Sequence, residues 1–260
     1  MPEFITTERD GRILTITINR PEVMNALHNA AHVELSQAFD AFAADAELWV
    51  AIVTGAGDRA FCAGNDLKAT AATPLDKRLP LPSTGFGGIT ARFDLDKPVI
   101  AAVNGVAMGG GLEIALACDI IVASEKATFA LPEPLVGLAA IAGGIHRLPR
   151  TVPLKQAMGM MLTGRHVSAA EAREMGLLNE VTAPDAVMAA ARAWAERILK
   201  CSPLAVRAAK QMAYAGLEIG GVSAALTASY PALTALRESQ DFIEGPRAFA
   251  EKRTPNWLGR

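Results

Sequence analysis

Two carboxylates and a run of glycines stand out among small apolar residues. Glu113 follows Gly109-Gly110-Gly111-Leu112, and Glu133 is wedged into Leu131-Pro132-Glu133-Pro134. The stretch between the two acids has room for a helix, a turn, a strand and a return. Two carboxyl groups facing one another across a pocket, one ionised and one protonated, perform acid–base chemistry. Three glycines opening a helix let the backbone approach a ligand, and the helix's unpaired N–H groups suit an oxygen that gains negative charge. Plainer readings stand beside these. A triple glycine also makes a tight turn at positive φ, and a glutamate in a first helical turn also caps a helix or complements its dipole. Glu133, set between prolines, has no such helical role.

The elements that must position these groups read as a mixed α/β chain. Arg12–Ile18 alternates polar and apolar residues after a turn at Asp10-Gly11, and so predicts a strand. Asn29–Ala44 carries helical periodicity through Val33, Leu35, Phe39 and Phe42, and Val50–Thr54 is a strand of the buried type. A proline- and glycine-rich loop occupies Thr73–Gly88, within a lid region Ala69–Arg92 that lacks clear periodicity. Order returns with strand Pro98–Val103, helix Glu113–Cys118 and strand Ile120–Ala123. The strand–glycine–helix–strand pattern after Val50 recurs after Lys97, which suggests a repeated unit without a fixed period. From Asp185 the chain is helical, over Asp185–Lys200, Pro203–Gly216 and roughly Ser239–Lys252. A composition shift near Cys201 separates a core, residues 1–198, from a helical tail, residues 199–260.

Composition narrows the classes. The 260 residues are 51% hydrophobic and 5% aromatic, so the core is mainly aliphatic. With 25 basic against 27 acidic residues and a net charge of −2, the chain is no general nucleic-acid binder and no disordered tail. No apolar run approaches the ~20 residues of a membrane span, and Met1–Asp10 has neither a basic start nor an apolar h-region, so the expected location is cytoplasmic. Cys62, Cys118 and Cys201 read as buried reduced thiols. Gly55-Ala-Gly57-Asp-Arg-Ala60 matches a dinucleotide fingerprint in letters alone, because no helix and no later acid-tipped strand follow it. His28 and His32 have metal-ligand spacing but no third ligand, and read as a polar helix face. No metal site is expected.

Three segments concentrate glycines and acids: Ala60-Phe-Cys-Ala-Gly-Asn-Asp-Leu-Lys68, Lys97 to Asp119 through the triple glycine, and Phe129-Ala-Leu-Pro-Glu-Pro-Leu-Val-Gly137. With Asn19-Arg-Pro21, Asn25-Ala-Leu27, Leu162-Thr-Gly-Arg165, Ala169-Ala-Glu171 and the Glu244–Arg253 tail, they resemble the enoyl-CoA hydratase/isomerase (crotonase) family over nearly the whole chain. Within it, the hydratases and carnitinyl-CoA dehydratases are most similar.

The resemblance implies a spiral of ββα units, then a helical trimerisation region giving a homotrimer or a dimer of trimers. It implies an acyl-CoA thioester as substrate, with coenzyme A part of that substrate and no separate cofactor. The backbone N–H groups of Asn65 and Gly110 would form an oxyanion hole, with Gly109 beside them. Ala26, Leu27, Ala63, Asp66, Leu67 and Lys68 would line the CoA path, with Pro132 next to the second acid. Lys252 would reach the CoA 3′-phosphate. Glu113 would activate water and Glu133 deliver a proton in hydration of a trans-2-enoyl-CoA. One departure is Ala139-Ala-Ile-Ala-Gly-Gly144, where the family commonly has glycines that help hold water. Ile141 keeps an amide there, but its side chain is expected to narrow the pocket. Isomerisation between Δ3 and Δ2 enoyl thioesters, a carnitinyl-CoA dehydratase-like reaction and non-catalytic acyl-CoA binding stay open as alternatives.

Overall fold

The computed structural model describes residues 2–77 and 79–260. Met1 and Arg78, the latter inside the expected lid, lie outside the described residues. The chain opens with a hairpin. Strand β1 (Ile5–Asp10) runs antiparallel to β2 (Ile13–Ile18), with Asp10 opposite Ile13 across the turn at Gly11. Helix α1 (Asn29–Ala44) follows, and the Nδ1 of His28 caps it by accepting the N–H of Ala31.

Three units of two strands and a helix then succeed one another. The first is β3 (Val50–Gly55), β4 (Ala60–Cys62) and α2 (Leu67–Ala72). The second is β5 (Val99–Val103), β6 (Val106–Met108) and α3 (Gly110–Ala117). The third is β7 (Ile120–Ser124) and β8 (Thr128–Ala130), closed by α4 (Gly144–Thr151). In each unit the first strand joins a large sheet and the second a small one, so the chain winds as a spiral. After α5 (Leu154–Thr163), strand β9 (Val167–Ser168) completes the small sheet β4-β6-β8-β9. Helix α6 (Ala169–Glu174) leads to β10 (Glu180–Thr182), the last strand of the large sheet β1-β2-β3-β5-β7-β10.

The large sheet is parallel from β2 to β10 and buried on both faces, which is why its strands read as continuous apolar runs. Alternate residues serve opposite faces. Ala51, Val53, Ala101 and Val103 face the main core, with Leu35 and Phe39 of α1 and Leu112 of α3. Val50, Ile52, Ile100, Ala102 and Val122 face the other way, under α7 (Val187–Leu199), whose Val187, Ala191 and Ala195 recur at helical spacing. Beyond lie α8 (Pro203–Glu218), α9 (Val222–Thr227), α10 (Pro231–Arg237) and α11 (Gln240–Ala250). Helix α8 is pinned to the core by Arg207 on Asp96 (2.9 Å) and Lys210 on Asp119 (2.8 Å). The buried Asp241 of α11 accepts the Ser202 hydroxyl and the Leu258 N–H, both at 2.8 Å, and so binds the terminal segment.

Several sequence expectations are corrected. The lid region is not structureless: α2 enters it at Ala69, and a 3-10 turn forms at Phe86–Gly88. Helix α3 opens at Gly110 rather than Glu113, because glycines suffice once tertiary packing fixes them. Cys62 and Cys118 are buried, but Cys201 is exposed. His32 is not on a polar face; it is 2% exposed. Gly55–Ala60, by contrast, agrees with the sequence reading: it links two strands and opens no helix.

Candidate active site

Gly109 is the residue from which the site is built. Its N–H donates to the Ala130 carbonyl (2.9 Å), which ties the start of α3 to β8, and its own carbonyl accepts the Glu113 N–H (3.0 Å). Its φ of 53° lies in the left-handed region that favours glycine. Glu113 therefore falls in the first helical turn, pointing inward, and is buried.

The second acid arrives on the other side. Pro132 precedes a 3-10 turn, Glu133–Val136, which the Leu138 N–H closes onto the Glu133 carbonyl (2.9 Å). The Glu133 carboxyl points back at α3: a β-carbon at Gly109 would stand 2.8 Å from its Oε1. Its Oε2 is buried and has no hydrogen-bond partner. Glu113 is held differently. Its Oε1 accepts the N–H of Gly144 (2.8 Å), the first residue of α4. Glu133 and Ala140 line a cavity of about 50 Å³ whose other walls include Leu131, Ile145 and Met161.

Burial pushes Glu113 up to about 7. The N–H of Gly144 opposes that rise, and the nearby Glu133 charge adds to it, while the Ala142 N–H and the Arg147 charge pull it down. Burial also raises Glu133. A carboxyl group poised near neutrality gives and takes protons readily, and two coupled acids titrate as a pair. Orphaned Oε2 favours the protonated form of Glu133, and the Gly144 N–H favours the ionised form of Glu113.

Two amides stand next to the acids. Leu27 bridges to Asn65 in parallel: its N–H donates to the Gly64 carbonyl (2.8 Å) and its carbonyl accepts the Asp66 N–H (2.9 Å). Successive amides of an extended segment face opposite ways, so the Asn65 N–H points away from Leu27. A β-carbon at Gly64 would lie 3.1 Å from the Gly110 nitrogen, which puts the Gly64–Asn65 corner against the head of α3. Among the described residues, neither the Asn65 N–H nor the Gly110 N–H has a protein acceptor.

The structure thus brings together Glu113, Glu133, Gly109, Gly110, Asn65 and Pro132, with Ala26 and Leu27 alongside and Ala63 tied by its N–H to the Met24 carbonyl (3.0 Å). Asp66 is committed to structure: it caps α2 through the Ala69 N–H (3.0 Å) and pairs with Arg20 (3.1 Å). Leu67 and Lys68 sit exposed on α2. Lys252 lies beyond α11 at φ 54°, with no hydrogen bond or ion pair to the other site residues. Ile141 corrects the sequence expectation. Its side chain is 80% exposed, so it does not narrow the pocket, and its N–H is spent on the Ala139 carbonyl (2.8 Å). The amide that serves the acid is that of Gly144.

Sequence reasoning passed over Gly144, Arg147 and Phe86. Gly143-Gly144 before an unrecognised helix was the available signal for the first. Arg147 reaches the Thr90 carbonyl (2.8 Å) from α4, a contact no local pattern announces. A larger hollow of about 260 Å³ beside α11 carries no comparable chemistry, since its Glu244 is bound by Arg253 (2.6 Å) and its Asp241 by the terminal segment.

This geometry meets its counterpart among known proteins. The sequence profile described as Enoyl-CoA hydratase/isomerase matches residues 8–260. The chain belongs to the enoyl-CoA hydratase/isomerase family. Carnitinyl-CoA dehydratases of Salmonella enteritidis PT4 and Salmonella typhi are 43% identical to it over 266 residues, covering 100% of both chains. An enoyl-CoA hydratase structure from Mycobacterium tuberculosis H37Rv superposes with a TM-score of 0.92 at 40% identity, covering all of both chains. One from Mycobacterium marinum gives 0.92 at 41%, again with full coverage. The spiral is therefore the crotonase fold, and the protein is an enzyme of this family's hydratase/dehydratase type. No helix among the described residues is long and apolar enough to cross a membrane.

Proposed function

We propose that this family member is an enoyl-CoA hydratase that adds water reversibly, and syn, to a trans-2-enoyl-CoA thioester. The observation that carries the reading is the convergence of a buried carboxyl, Glu113, and a half-buried one, Glu133, differently held, on the head of α3, next to two N–H groups without a protein acceptor. The thioester carbonyl would sit on the Asn65 and Gly110 N–H groups. Ionised Glu113 would take a proton from water as the oxygen attacks Cβ. The enolate, held at its oxygen by the two amides, would then collect a proton at Cα from Glu133. Donors fixed in place before reaction stabilise the developing charge without reorganisation, and each is typically worth roughly 10²–10³ in rate.

The aliphatic walls of Leu131, Ile145 and Met161 suit a short, uncharged acyl tail. Room for a water-sized group takes about 10–15 Å³, so the cavity accepts a tail of only a few carbon atoms. The 43% identity to carnitinyl-CoA dehydratases favours a second reading, elimination of water from a hydroxyacyl-CoA, which the same two acids perform in reverse. Loss of the conjugated enoyl-thioester absorbance with crotonyl-CoA is the expected result. Gain of that band from a 3-enoyl-CoA, with crotonyl-CoA inert, would assign isomerisation instead, and CoA binding without turnover would assign a binding protein. The exposed Phe242, Ile243 and Phe249 of α11 favour the helices after residue 198 as the subunit contact of a trimer or a dimer of trimers, which light scattering reads directly.

A further inference from the structure

His32 is buried in α1, yet its imidazole contacts on Gly87 and Phe86 lead towards the proposed oxyanion amides. Its Nδ1 accepts the N–H of Gly87 (3.1 Å), and its ring stands edge-on to Phe86, with 4.4 Å between centroids. Burial draws its pKa down to about 4, so the imidazole is neutral, with Nδ1 an acceptor and the proton on Nε2. One turn along, the Ser36 hydroxyl meets that of Thr84 at 2.8 Å, so α1 grips the Thr84–Gly88 segment at two successive turns.

That segment bears on α3. A β-carbon at Gly110 would lie 2.3 Å from Cε1 of Phe86, so the ring edge rests on the α-carbon of the residue whose N–H belongs to the amide pair. A β-carbon at Gly87 would likewise strike Ile114, one turn further down α3, at 2.5 Å. The turn Phe86–Gly88 is thus a wedge between α1 and the head of α3. Gly85 (φ 82°) and Gly87 (φ 61°) supply the positive φ that the turn requires, and because glycine is free to leave those angles, contacts from α1 restrict the segment.

We infer that His32 is a positioning residue: by accepting the Gly87 N–H it holds Phe86 against Gly110 and so aims the Gly110 N–H at the substrate carbonyl. The inference rests on the amide pair assigned under the proposed function. A buried histidine serving packing alone would not need its Nδ1 acceptor, and that difference is testable. His32→Leu keeps the bulk and removes the acceptor. His32→Asn puts an amide oxygen close to where Nδ1 stands. Phe86→Leu leaves His32 intact and removes the ring edge.

Turnover of crotonyl-CoA and the red shift of a bound conjugated cinnamoyl-CoA are the two readouts, since hydrogen bonds to the carbonyl polarise the chromophore. For His32→Leu we expect kcat to fall about 10–100-fold with KM within about threefold, and the red shift to shrink. His32→Asn should recover kcat to within about threefold of the parent and restore the shift. Phe86→Leu should lose the shift as His32→Leu does, which keeps the test decisive where His32→Leu does not fold. A folded His32→Leu with parental kcat and red shift overturns the inference. So does a His32→Asn no better than His32→Leu, or a Phe86→Leu with the parental shift. If the parent itself neither turns over an enoyl-CoA nor shifts the band, the functional reading falls and the inference with it; an active, band-shifting parent indifferent to His32 overturns the inference alone.

Discussion

Gly109 leaves the space that the Glu133 carboxyl occupies: a β-carbon there would stand 2.8 Å from Oε1. The triple glycine is therefore a device for letting an acid approach the head of a helix, and only its first member faces that acid. Gly109→Ala should displace Glu133 and strain a residue at φ 53°. We expect kcat on crotonyl-CoA to drop about 10–100-fold and urea stability to fall by about 1–2 kcal/mol, with the circular dichroism spectrum unchanged.

Replacing either acid by its amide tests the chemistry with little change of shape. Glu113→Gln and Glu133→Gln should each lower hydration of crotonyl-CoA by roughly 10²–10⁴. Thermal denaturation will show both variants folded. Activity within about tenfold of the parent for either one would remove that acid from the reaction.

Under the proposed mechanism the pH profile follows from Glu113, which would have to be ionised to accept a proton from water. Its pKa of about 7 predicts that kcat/KM declines as pH falls through neutrality. Arg147 favours the ionised form, so Arg147→Gln removes a charge that holds this value down. The midpoint of the acid limb should move to higher pH in Arg147→Gln, as measured by initial rates over pH 5–9. A downward move would contradict the assignment.

Stability should run opposite to activity at the same residue. Glu113 titrates at 4.5 when unfolded and at about 7 in the fold, so its neutral form stabilises the fold. That stabilisation is complete below 4.5 and is lost as pH rises through 7. Gln at position 113 stays neutral throughout and can still accept the Gly144 N–H. Glu113→Gln should therefore be more stable than the parent at pH 8, by about 1–3 kcal/mol, and indistinguishable from it near pH 4, as read by urea titration at both values.

The cavity beside Glu133 makes a prediction about the acyl group. Met161→Ala removes one of its walls and enlarges it. Competing crotonyl-CoA, hexenoyl-CoA and octenoyl-CoA should show the parent favouring the shortest and the variant shifted towards hexenoyl-CoA. An unchanged ranking would place the acyl tail elsewhere.

Much of this was legible in the residues. The apolar runs Val50–Thr54 and Pro98–Val103 announced strands, the first of the buried type, and they pair in parallel in a sheet covered on both faces. Glu133, trapped between prolines, announced a site because no local rule explained it. What stayed hidden depends on distant partners. His32 looked like half of a polar pair because the turn that covers it begins more than fifty residues later. Ile141 looked like a pocket wall because spacing does not say that the chain between Gly137 and Gly143 turns its side chain outward. Gly144 escaped notice because its importance lies in an amide, which every residue but proline possesses.

The large sheet runs β1, β2, β3, β5, β7, β10, in the sequence in which a ribosome makes them. Each strand emerging from the exit tunnel finds its neighbour already laid down, and no pairing has to wait for a segment still to be translated. Glu133 and Gly144 come after five of those six strands, so a nascent chain stopped before them would carry a largely built scaffold around an unfinished pair of acids.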